Sequence, residues 1–378
     1  MKPKLCFVVS APMTAVAFLN GHIDYLSNDY DVAVVCNFDG TERDISKNAL
    51  LQNIRITRKV SPIFDLKALC TLTRFLKKEN FQIVHSVTPK AGLITALAGW
   101  LAKVPIRIHW FTGQVWVLKT GIVRWVFKSL DQLVARINTS LLVDSPSQRL
   151  FLIEQGVIQS AKSQVIGSGS IAGVDTEKFQ PNLEMRTVTR AEMGIGDPNL
   201  PIVLFMGRLN HDKGIDSLLE AFSNRAIFPD AFLLLVGPDE EGYLSRIPEL
   251  LSERQAYFRY IPFTTEPEKY MAAADIFCLP SLREGFGLSA IEASSCALPV
   301  IASDIYGVQD AVKNGETGFL IDAADSTQIA TAVRVLISDP KSQISMGVAG
   351  RIHVQQSFES AEIQRLLHGY YSELLSSH

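Results

Sequence analysis

Short, nearly continuous apolar runs alternate along the whole chain with longer stretches in which apolar residues recur at helical spacing. In the first half, the apolar runs cover residues 5–9, 32–36, 83–87, 106–111 and 141–144. The helical stretches between them cover residues 15–26, 66–78, 91–101, 122–137 and 147–155. Continuous apolar runs are typical of parallel strands that are covered on both faces, so the alternation predicts an α/β domain with a parallel sheet.

The second half repeats this pattern. Its apolar runs cover residues 202–206, 232–236, 260–263, 276–279, 300–302 and 319–321, and its helical stretches cover 215–222, 267–274, 289–297, 328–337 and 360–375. The apolar runs lapse over 179–193, where Pro181 and Asn182 favour a loop between domains. The pattern predicts two doubly wound, Rossmann-like domains, residues 1–180 and 181–359, that face each other across a cleft. Ligands of such sheets bind beyond the carboxyl ends of the strands, so the cleft is the expected site.

Length, composition and charge agree with two globular domains. The chain has 378 residues, 47% of them hydrophobic and 20% charged, and domains usually span roughly 100–200 residues. Residues 1–180 hold 21 Lys and Arg against 13 Asp and Glu, whereas the remainder hold 15 against 26. A basic half is suited to phosphates, anionic lipid or nucleic acid. Its cations are spread out rather than clustered, so we expect no nucleic-acid partner.

The cysteines and the lengths of the apolar runs indicate in which cellular compartment the protein is expected. Five cysteines lie far apart, without a C-x-x-C or a Cys/His cluster, which predicts reduced thiols and argues against a zinc ribbon. The run at 5–9 is shorter than the roughly 7–15 apolar residues of a signal sequence. The run at 91–102 is shorter than the ~20 residues of a membrane span. We therefore expect a cytoplasmic protein that is neither secreted nor integral to a membrane.

The strand predicted at 202–206 runs into a turn that carries two cations. Gly207 permits a sharp turn, and Arg208 and Lys213 follow before a helix begins near residue 215. An arginine fork, a lysine point charge and the N–H groups of a helix N-terminus together suit a diphosphate. The alternative is a solvated turn with two surface cations.

A second glycine-containing turn follows the strand predicted at 276–279. It reads Ser281-Leu282-Arg283-Glu284-Gly285-Phe286-Gly287-Leu288, and a helix is expected to open at about Leu288. The glycines leave backbone N–H groups uncovered, and the helix dipole favours an anion. Glu284 stands just before the two glycines, and Glu292 lies about one helical turn inside the expected helix. Carboxylates at such positions can accept hydrogen bonds from sugar hydroxyls. The alternative for both is a solvated glutamate near a helix N-terminus.

Together these motifs resemble the family 4 retaining glycosyltransferases of the GT-B fold. The resemblance rests on Gly-Arg-Leu…Lys-Gly at 207–214, on Arg-Glu-Gly-Phe-Gly-Leu at 283–288 and on the spacing of Glu284 and Glu292, and it extends over essentially the whole chain. Further similar segments lie at 88–92 (Thr-Pro-Lys-Ala-Gly), 111–116 (Phe-Thr-Gly-Gln-Val-Trp), 173–179 and 314–318. The first two are similar to segments of bacterial enzymes that build lipid-linked surface polysaccharides.

The resemblance implies a nucleotide-sugar donor, UDP-linked, held by residues 181–359. It implies a glycan or polyprenyl-diphosphate-linked acceptor held by residues 1–180, which the last helix, about 360–378, would join. On matching positions, Arg208 and Lys213 would bind the donor diphosphate, Glu284 would contact the transferred sugar, and Glu292 would bind the ribose. The other implied donor-binding positions are Gly207, Phe263, Arg283, Gly285, Phe286, Gly287 and Leu288.

The chain departs from the family pattern at two places in the first domain. The loop after the first strand, residues 10–14, lacks the glycines that many members carry there. Many members also have a cleft histidine after the strand at 106–111, where this chain has Thr112, and the histidine present is His109, three residues earlier. His109 is therefore a candidate catalytic residue, and a core histidine inside a strand is the alternative.

Neither a metal nor a cofactor is expected. Asp29-Tyr30-Asp31 has the D-x-D form that binds metal in other glycosyltransferases, but acidic residues before a strand commonly form a turn. Gly167-Ser168-Gly169 is not a dinucleotide fingerprint, and the sequence has no H-E-x-x-H, Walker A or G-x-S-x-G motif. The cations would then stabilise the leaving diphosphate directly, with attack on the face that the diphosphate leaves. The alternatives are a GT-B-fold nucleotide-sugar epimerase and a non-catalytic nucleotide-sugar-binding protein.

The helix predicted at 121–137 suggests a membrane contact. One arc is most simply core-facing and holds Ile122, Val123, Val126, Phe127, Leu130, Leu133, Val134 and Ile137. The opposite arc holds Arg124, Lys128 and Arg136 together with Trp125, and an exposed tryptophan among cations suits an anionic headgroup interface. We therefore expect peripheral association with an anionic membrane surface. The alternative is that a neighbouring loop buries Trp125.

Overall fold

The chain folds into two compact units. The computed structural model describes residues 2–38, 40, 42–57 and 61–377. The first unit comprises Met1–Gly173 together with Ser360–His378, and the second unit comprises Val174–Glu359. The second unit is therefore an insertion near the end of the sequence of the first.

A parallel sheet of seven strands, counted over the described residues, forms the centre of the first unit. Its strands are β1 (Lys4–Val8), β2 (Asp31–Cys36), β3 (Leu50–Asn53), β4 (Ile83–Ser86), β5 (Ile106–Phe111), β6 (Ser140–Val143) and β7 (Ser163–Gln164). They stand in the order β3-β2-β1-β4-β5-β6-β7. The chain runs outward from β1 to one edge and then returns to build the other half, which is the doubly wound topology.

Helices cover both faces of this sheet. They are α1 (Pro12–Phe18), α2 (Asn20–Leu26), α3 (Pro62–Glu79), α4 (Pro89–Ala102), α5 (Gly121–Ile137) and α6 (Pro146–Glu154). Alternate residues of β1 point to opposite faces, because a strand has a period of two. Leu5 and Phe7 pack in one apolar cluster with residues of α2, and Cys6 and Val8 pack in another with residues of α3 and α4.

The C-terminal helix of the chain covers the same face of the sheet as α2. It is the last in chain order, follows the second unit and spans Ser360–Ser376. Its residues Ile363, Leu367 and Tyr371 are buried in the cluster that contains Leu5 and Phe7. The Tyr371 hydroxyl lies 2.5 Å from Nδ1 of His85 on β4, so a buried polar contact fixes the helix to the sheet.

The second unit is built on a six-stranded parallel sheet, again counted over the described residues. Its strands are β8 (Ile202–Met206), β9 (Phe232–Val236), β10 (Phe258–Ile261), β11 (Ile276–Leu279), β12 (Val300–Ser303) and β13 (Gly318–Ile321). They stand in the order β10-β9-β8-β11-β12-β13. Its helices are α7 (Leu183–Glu192), α8 (Ile215–Ser223), α9 (Tyr243–Leu251), α10 (Pro267–Ala273), α11 (Leu288–Ser295), α12 (Val308–Ala311), α13 (Ser326–Ser338) and α14 (Pro340–Ser357), and the C-terminal helix is accordingly α15.

The predicted fold class is confirmed, because both units are doubly wound parallel α/β sheets. The expected loop over 179–193 is wrong, since helix α7 occupies most of it. The side chain of Asn182 accepts a hydrogen bond from the backbone N–H of Met185 and so begins the helix. Arg186 and Arg190 form ion pairs with Asp275. The buried residues of α7 are Thr189 and Arg190, whereas its apolar residues Leu183 and Val188 are exposed, so a search for buried apolar positions does not identify this helix.

Helix α5 differs from its prediction over its first two turns. Ile122 is 77% exposed and Trp125 is 67% exposed, and Val123 and Val126 are also exposed. The arc expected to face the core is therefore buried only near its end, at Val134, and no loop buries Trp125. Two of the three cations expected to face outward are only partly exposed, because Arg124 and Lys128 lie over the ring of Trp116, at 5.2 and 5.5 Å from its centroid, whereas Arg136 is exposed as expected.

Within the described part of the chain, none of the helices has the length and hydropathy that crossing a membrane would require.

Candidate functional site

The loops that follow β8 and β9 run side by side as a continuation of the sheet. The N–H of Gly207 donates to the carbonyl of Val236 at 2.9 Å, and the N–H of Leu209 donates to the carbonyl of Pro238 at 2.8 Å. Gly237 has φ +139°, and a Cβ there would lie 1.9 Å from the Gly207 carbonyl oxygen. Glycine is therefore required where the two loops touch, and their contact fixes the direction in which Arg208 projects.

The loops after β8 and β11 are joined in the same way. The N–H of Leu282 donates to the carbonyl of Asp212 at 2.9 Å. Gly214 has φ +68°, and a Cβ there would lie 1.8 Å from the Pro280 carbonyl oxygen. This close approach brings the turn at 207–214 against the turn at 281–287, although the two are far apart in sequence.

The charged side chains of these loops form cation–carboxylate pairs. Lys213 pairs with Glu284, whose Oε1 also accepts a hydrogen bond from the Ser281 hydroxyl at 2.9 Å. Arg283 Nη2 lies 2.6 Å from Asp212 Oδ2. The structure thus brings together three of the sequence-predicted residues, Lys213, Arg283 and Glu284, at one edge of the sheet.

Arg208 belongs to the same edge and has its own carboxylate partner. Its Nη1 lies 2.7 Å from Oε2 of Glu240, which also accepts a hydrogen bond from Asn210 Nδ2 at 2.9 Å. Asp212, Glu240 and Ser281 were not identified from the sequence. The signal for Glu240 was its place directly after the strand at 232–236, but Asp239 and Glu241 share that place.

Helix α11 begins at this edge. Gly287 precedes it with φ +92° and no side chain caps its first turn, so the backbone of the first turn is open to an anion. Phe286 is buried and packs against Phe358, with 5.1 Å between ring centroids. Phe286 anchors the turn, Gly285 and Gly287 are buried beside it, and Leu288 is partly exposed.

Glu292 lies one turn inside α11 and is only partly exposed. Burial raises its pKa to about 8, and Lys178 opposes this rise while Glu268 adds to it. Near neutral pH its carboxyl is therefore mostly protonated, and a protonated carboxyl both donates and accepts a hydrogen bond. A pair of vicinal hydroxyls offers the complementary groups.

Phe263 lies in the loop after β10 and is exposed. The strand ends at Ile261, earlier than the predicted 263, so Phe263 follows the strand rather than ending it. Because β10 is the edge strand of its sheet, this loop lies two strands away from the turn that carries Arg208.

His109 lies in the first unit, on β5, and is buried. Its Nδ1 is 2.9 Å from the Ser86 hydroxyl, and its ring packs edge-on against Phe111 with 4.6 Å between centroids. Burial lowers its pKa to about 3, with the contact to Ser86 opposing this, so the ring is neutral at ordinary pH. This is the environment of a core histidine, whereas Thr112 at the end of the strand is partly exposed.

The D-x-D segment has ordinary partners. Asp29 Oδ2 lies 3.1 Å from Nε2 of His368 on α15, and Asp31 begins β2. Among residues 2–38, 40, 42–57 and 61–377, no group of His, Cys, Asp and Glu is arranged to hold a metal ion.

Comparison with known proteins decides the family. Residues 192–353 match the family model for glycosyl transferases group 1, and residues 25–169 match that for a glycosyl transferase 4-like domain. The chain is also 36% identical over 312 residues, 75% of this chain, to alpha-maltose-1-phosphate synthase of Mycolicibacterium smegmatis, of which the match covers 77%. The chain belongs to the group 1 glycosyltransferases.

Two further glycosyltransferases match most of the chain. It is 29% identical over 380 residues to the capsular polysaccharide biosynthesis glycosyltransferase CapM of Staphylococcus aureus, covering 99% of this chain and 98% of CapM. It is 29% identical over 325 residues to the UDP-Gal:alpha-D-GlcNAc-diphosphoundecaprenol alpha-1,3-galactosyltransferase of Escherichia coli, covering 83% of this chain and 82% of that enzyme.

A solved structure confirms the GT-B fold of this glycosyltransferase. Anabaena Alr3699/HepE, crystallised in complex with UDP and glucose, superposes with a TM-score of 0.82 at 18% identity, covering 100% of both chains.

Proposed function

We propose that this glycosyltransferase moves a sugar, with retention of anomeric configuration, from a UDP-linked donor to a lipid-linked or glycan acceptor during synthesis of a bacterial surface polysaccharide. The observation that carries the donor assignment is the set of cations on touching strand-end loops of the second unit, Arg208, Lys213 and Arg283. The similarity to CapM and to a galactosyltransferase whose name gives a UDP-linked donor and a diphosphoundecaprenol acceptor supports the chemistry.

In this proposal the second unit binds the donor and the first unit, with α15, binds the acceptor. Arg208 and Lys213 bind the diphosphate, Glu284 contacts the transferred sugar and Glu292 binds the ribose hydroxyls. The backbone at 285–288 borders the phosphates at the start of α11, with Gly207 and Arg283 beside them. Phe263 and the backbone of its loop border the base.

The reaction breaks the bond between the anomeric carbon and the diphosphate, and negative charge grows on the departing oxygens. Arg208 and Lys213 stabilise that charge, which makes their contacts stronger in the transition state than in the bound donor. Glu284 is engaged by Lys213 and Ser281, so it orients the sugar rather than attacking it. The acceptor hydroxyl attacks from the face that the diphosphate leaves, and its proton passes to the leaving phosphate oxygen.

His109 takes no part in this mechanism. It is buried, and its pKa is lowered to about 3, so it is not the imidazolium that a general acid requires and it does not face solvent. We assign it to the core of the first unit.

The test combines binding with turnover. UDP and GDP are first compared by thermal shift, because a ligand at 100 times its Kd stabilises a protein by about 2.7 kcal/mol. UDP-sugars are then incubated with and without a polyprenyl-diphosphate-linked sugar, and released UDP is measured. Release that requires acceptor supports a transferase. Binding without release indicates a non-catalytic binding protein, and conversion of the donor sugar without acceptor indicates an epimerase.

The proposed acceptor calls for a membrane contact, and helix α5 offers the surface. Ile122, Val123, Trp125 and Val126 form an exposed apolar surface at its start, and Lys119 beside it is exposed. Exposed tryptophan and aliphatic side chains next to a cation suit the headgroup boundary of an anionic bilayer. The net charge of the first 180 residues, 21 cations against 13 anions, adds a long-range attraction.

Liposome co-sedimentation tests this surface. Trp125→Ser with Ile122→Ser should abolish pelleting with anionic vesicles, because both side chains are exposed and their loss leaves the core intact. Leu150→Ser, an exposed apolar residue on α6, is the matched control. Equal pelleting of the wild type and the double variant would exclude α5 as the contact. Arg124 and Lys128 are unsuitable test positions, since they pack on Trp116.

A further inference from the structure

The loop after β9 carries three successive acidic residues with different tasks. Asp239 accepts hydrogen bonds from the backbone N–H groups of Gly242 and Leu244 and so begins α9. Glu241 accepts a hydrogen bond from the backbone N–H of His211 at 2.9 Å. Glu240 instead holds the side chains of Arg208 and Asn210. Of the three, Glu240 is the carboxylate that meets a cation of the proposed donor site.

The backbone fixes Glu240 in this position. Its N–H donates to the carbonyl of Leu209 at 3.1 Å, and the N–H of Leu209 donates to Pro238. Leu209 and Asp239 form a parallel bridge that extends the pairing of β8 and β9. The backbone of Glu240 is thus paired with the turn that carries Arg208, in the way that a strand residue is paired with its neighbour.

Of the three cation–carboxylate pairs at this edge, the Arg208–Glu240 pair has the most exposed cation. Its side chains are 39% and 34% exposed, whereas those of Lys213 and Glu284 are 17% and 13% exposed and those of Arg283 and Asp212 are 18% and 37% exposed. A pair in contact with water gains little net free energy, so an incoming anion can take over part of the guanidinium at small cost. A guanidinium has five N–H donors and can hold a carboxylate and a phosphate together.

We propose that Glu240 is a resident counter-ion that limits the affinity of the site for a nucleoside diphosphate. The inference rests on the proposed function, which places the diphosphate on Arg208. The Glu240 carboxylate then lies within a few ångströms of the phosphates, and like charges at that distance repel. Glu240 keeps Arg208 directed into the site, and its charge weakens the binding of donor and product alike, which hastens release of the product.

Glu240→Gln separates these two effects. The amide oxygen still accepts hydrogen bonds from Arg208 and Asn210, while the negative charge is gone. Calorimetric titration at low salt should show about a three- to tenfold lower Kd for UDP. The gain should be smaller for UMP and absent for uridine, and it should disappear in 1 M NaCl, where the Debye length is about 3 Å. In turnover, KM for the donor should fall while kcat does not rise.

Glu249→Gln is the matched control, because Glu249 is exposed on α9 and belongs to the same unit. It removes one charge without touching Arg208, and its UDP affinity should equal that of the wild type. Arg208→Ala, measured in parallel, should weaken UDP. If Arg208→Ala weakens UDP while Glu240→Gln leaves it unchanged or weaker, the counter-ion role is overturned and the donor site stands. If Arg208→Ala also has no effect, the proposed donor site itself fails.

Discussion

The two units share one sheet architecture and place different side chains at the carboxyl ends of their strands. In the first unit the strands β1, β4, β5 and β6 are followed by hydroxyl residues, namely Ser10, Thr88, Thr112 and Ser145. Thr88 donates a hydrogen bond to the Ser10 hydroxyl at 2.9 Å. In the second unit β8, β9 and β11 are followed by Arg208, Glu240 and Arg283, which form ion pairs.

The units also differ in the depth of their ionisable groups. The first unit buries His22, His85 and His109, and burial lowers the pKa of each, so that all three are neutral at ordinary pH. Its strand-end lysine, Lys90, is paired with Asp65 at 2.6 Å. The second unit also buries Arg190 and Arg254, but at its strand ends Arg208 and Glu240 are 39% and 34% exposed, in a pair that a ligand can reach.

The difference shows that the fold supplies the position and the side chains supply the chemistry. Any doubly wound sheet presents its strand ends along one edge. An edge of paired charges is suited to a diphosphate. The cations are available to bind its phosphates, and the carboxylates keep those cations paired while the site is empty. An edge of hydroxyls is suited to a polyhydroxylated acceptor. Three predictions test this comparison.

Lys213→Ala and Glu284→Ala should have the largest effect. In the proposed mechanism Lys213 stabilises the departing charge and Glu284 orients the sugar, and removal of one group that stabilises the transition state typically lowers kcat by ~10²–10³. Both residues lie between the strands and helices of the sheet, so the fold should persist by circular dichroism. Lys90→Ala is the control, because it removes a strand-end lysine and breaks its ion pair in the other unit. Its UDP affinity should be unchanged. Near-wild-type turnover by both second-unit variants would refute the assignment of charge to this edge.

Two acids with raised pKa values should make stability fall as the pH rises. Burial raises the pKa of Glu292 to about 8 and that of Asp131, which accepts a hydrogen bond from Trp116, to about 7. The unfolded chain loses these protons near pH 4 whereas the folded chain keeps them, so the free energy of unfolding declines up to each folded-state pKa. Glu292→Gln and Asp131→Asn should remove their share of that decline.

Denaturant titrations at pH 5 and pH 8 measure the effect. Each variant should be more stable relative to the wild type at pH 8 than at pH 5, with Glu249→Gln as the exposed control. Since Asp131 belongs to the first unit and Glu292 to the second, separate transitions would assign each change to its unit. An identical pH dependence in wild type and variants would contradict the raised pKa values.

The smallest expected effect is that of metal removal. In the proposed mechanism Arg208, Lys213 and the start of α11 meet the charge of the diphosphate. Turnover after exhaustive EDTA treatment should equal that of untreated enzyme. A loss that Mg²⁺ or Mn²⁺ restores would show that the paired cations do not suffice.

The elements that the sequence predicts best are those with a continuous apolar run. The predicted bounds of β5, β8, β9 and β11 agree with Ile106–Phe111, Ile202–Met206, Phe232–Val236 and Ile276–Leu279, because these strands are covered on both faces. The edge strands β3 and β7 escape detection, since Leu50–Asn53 is half polar and Ser163–Gln164 is wholly polar.

Some contacts of the candidate site could be predicted from the sequence and others could not. The proximity of Lys213, Arg283 and Glu284 follows from strand-end positions alone, because neighbouring parallel strands end at the same edge. The pairing of Glu240 with Arg208 does not, since it depends on which backbone groups Asp239 and Glu241 engage. The apolar periodicity of α5 could not decide whether Trp125 is exposed either, because it gives the spacing of apolar residues and not which of them another segment covers.

Because α15 is the last helix to be synthesised, the first unit cannot be completed until the chain is nearly finished. Domains generally fold from the N-terminal end as they leave the ribosome, yet here the contiguous Val174–Glu359 is complete before the first unit is. Until Ile363, Leu367 and Tyr371 have been synthesised, the apolar surface around Leu5 and Phe7 that they cover remains uncapped. A chain that terminates early would carry a finished second unit on an incomplete first unit, and its uncovered apolar surface would be recognisable to chaperones and proteases.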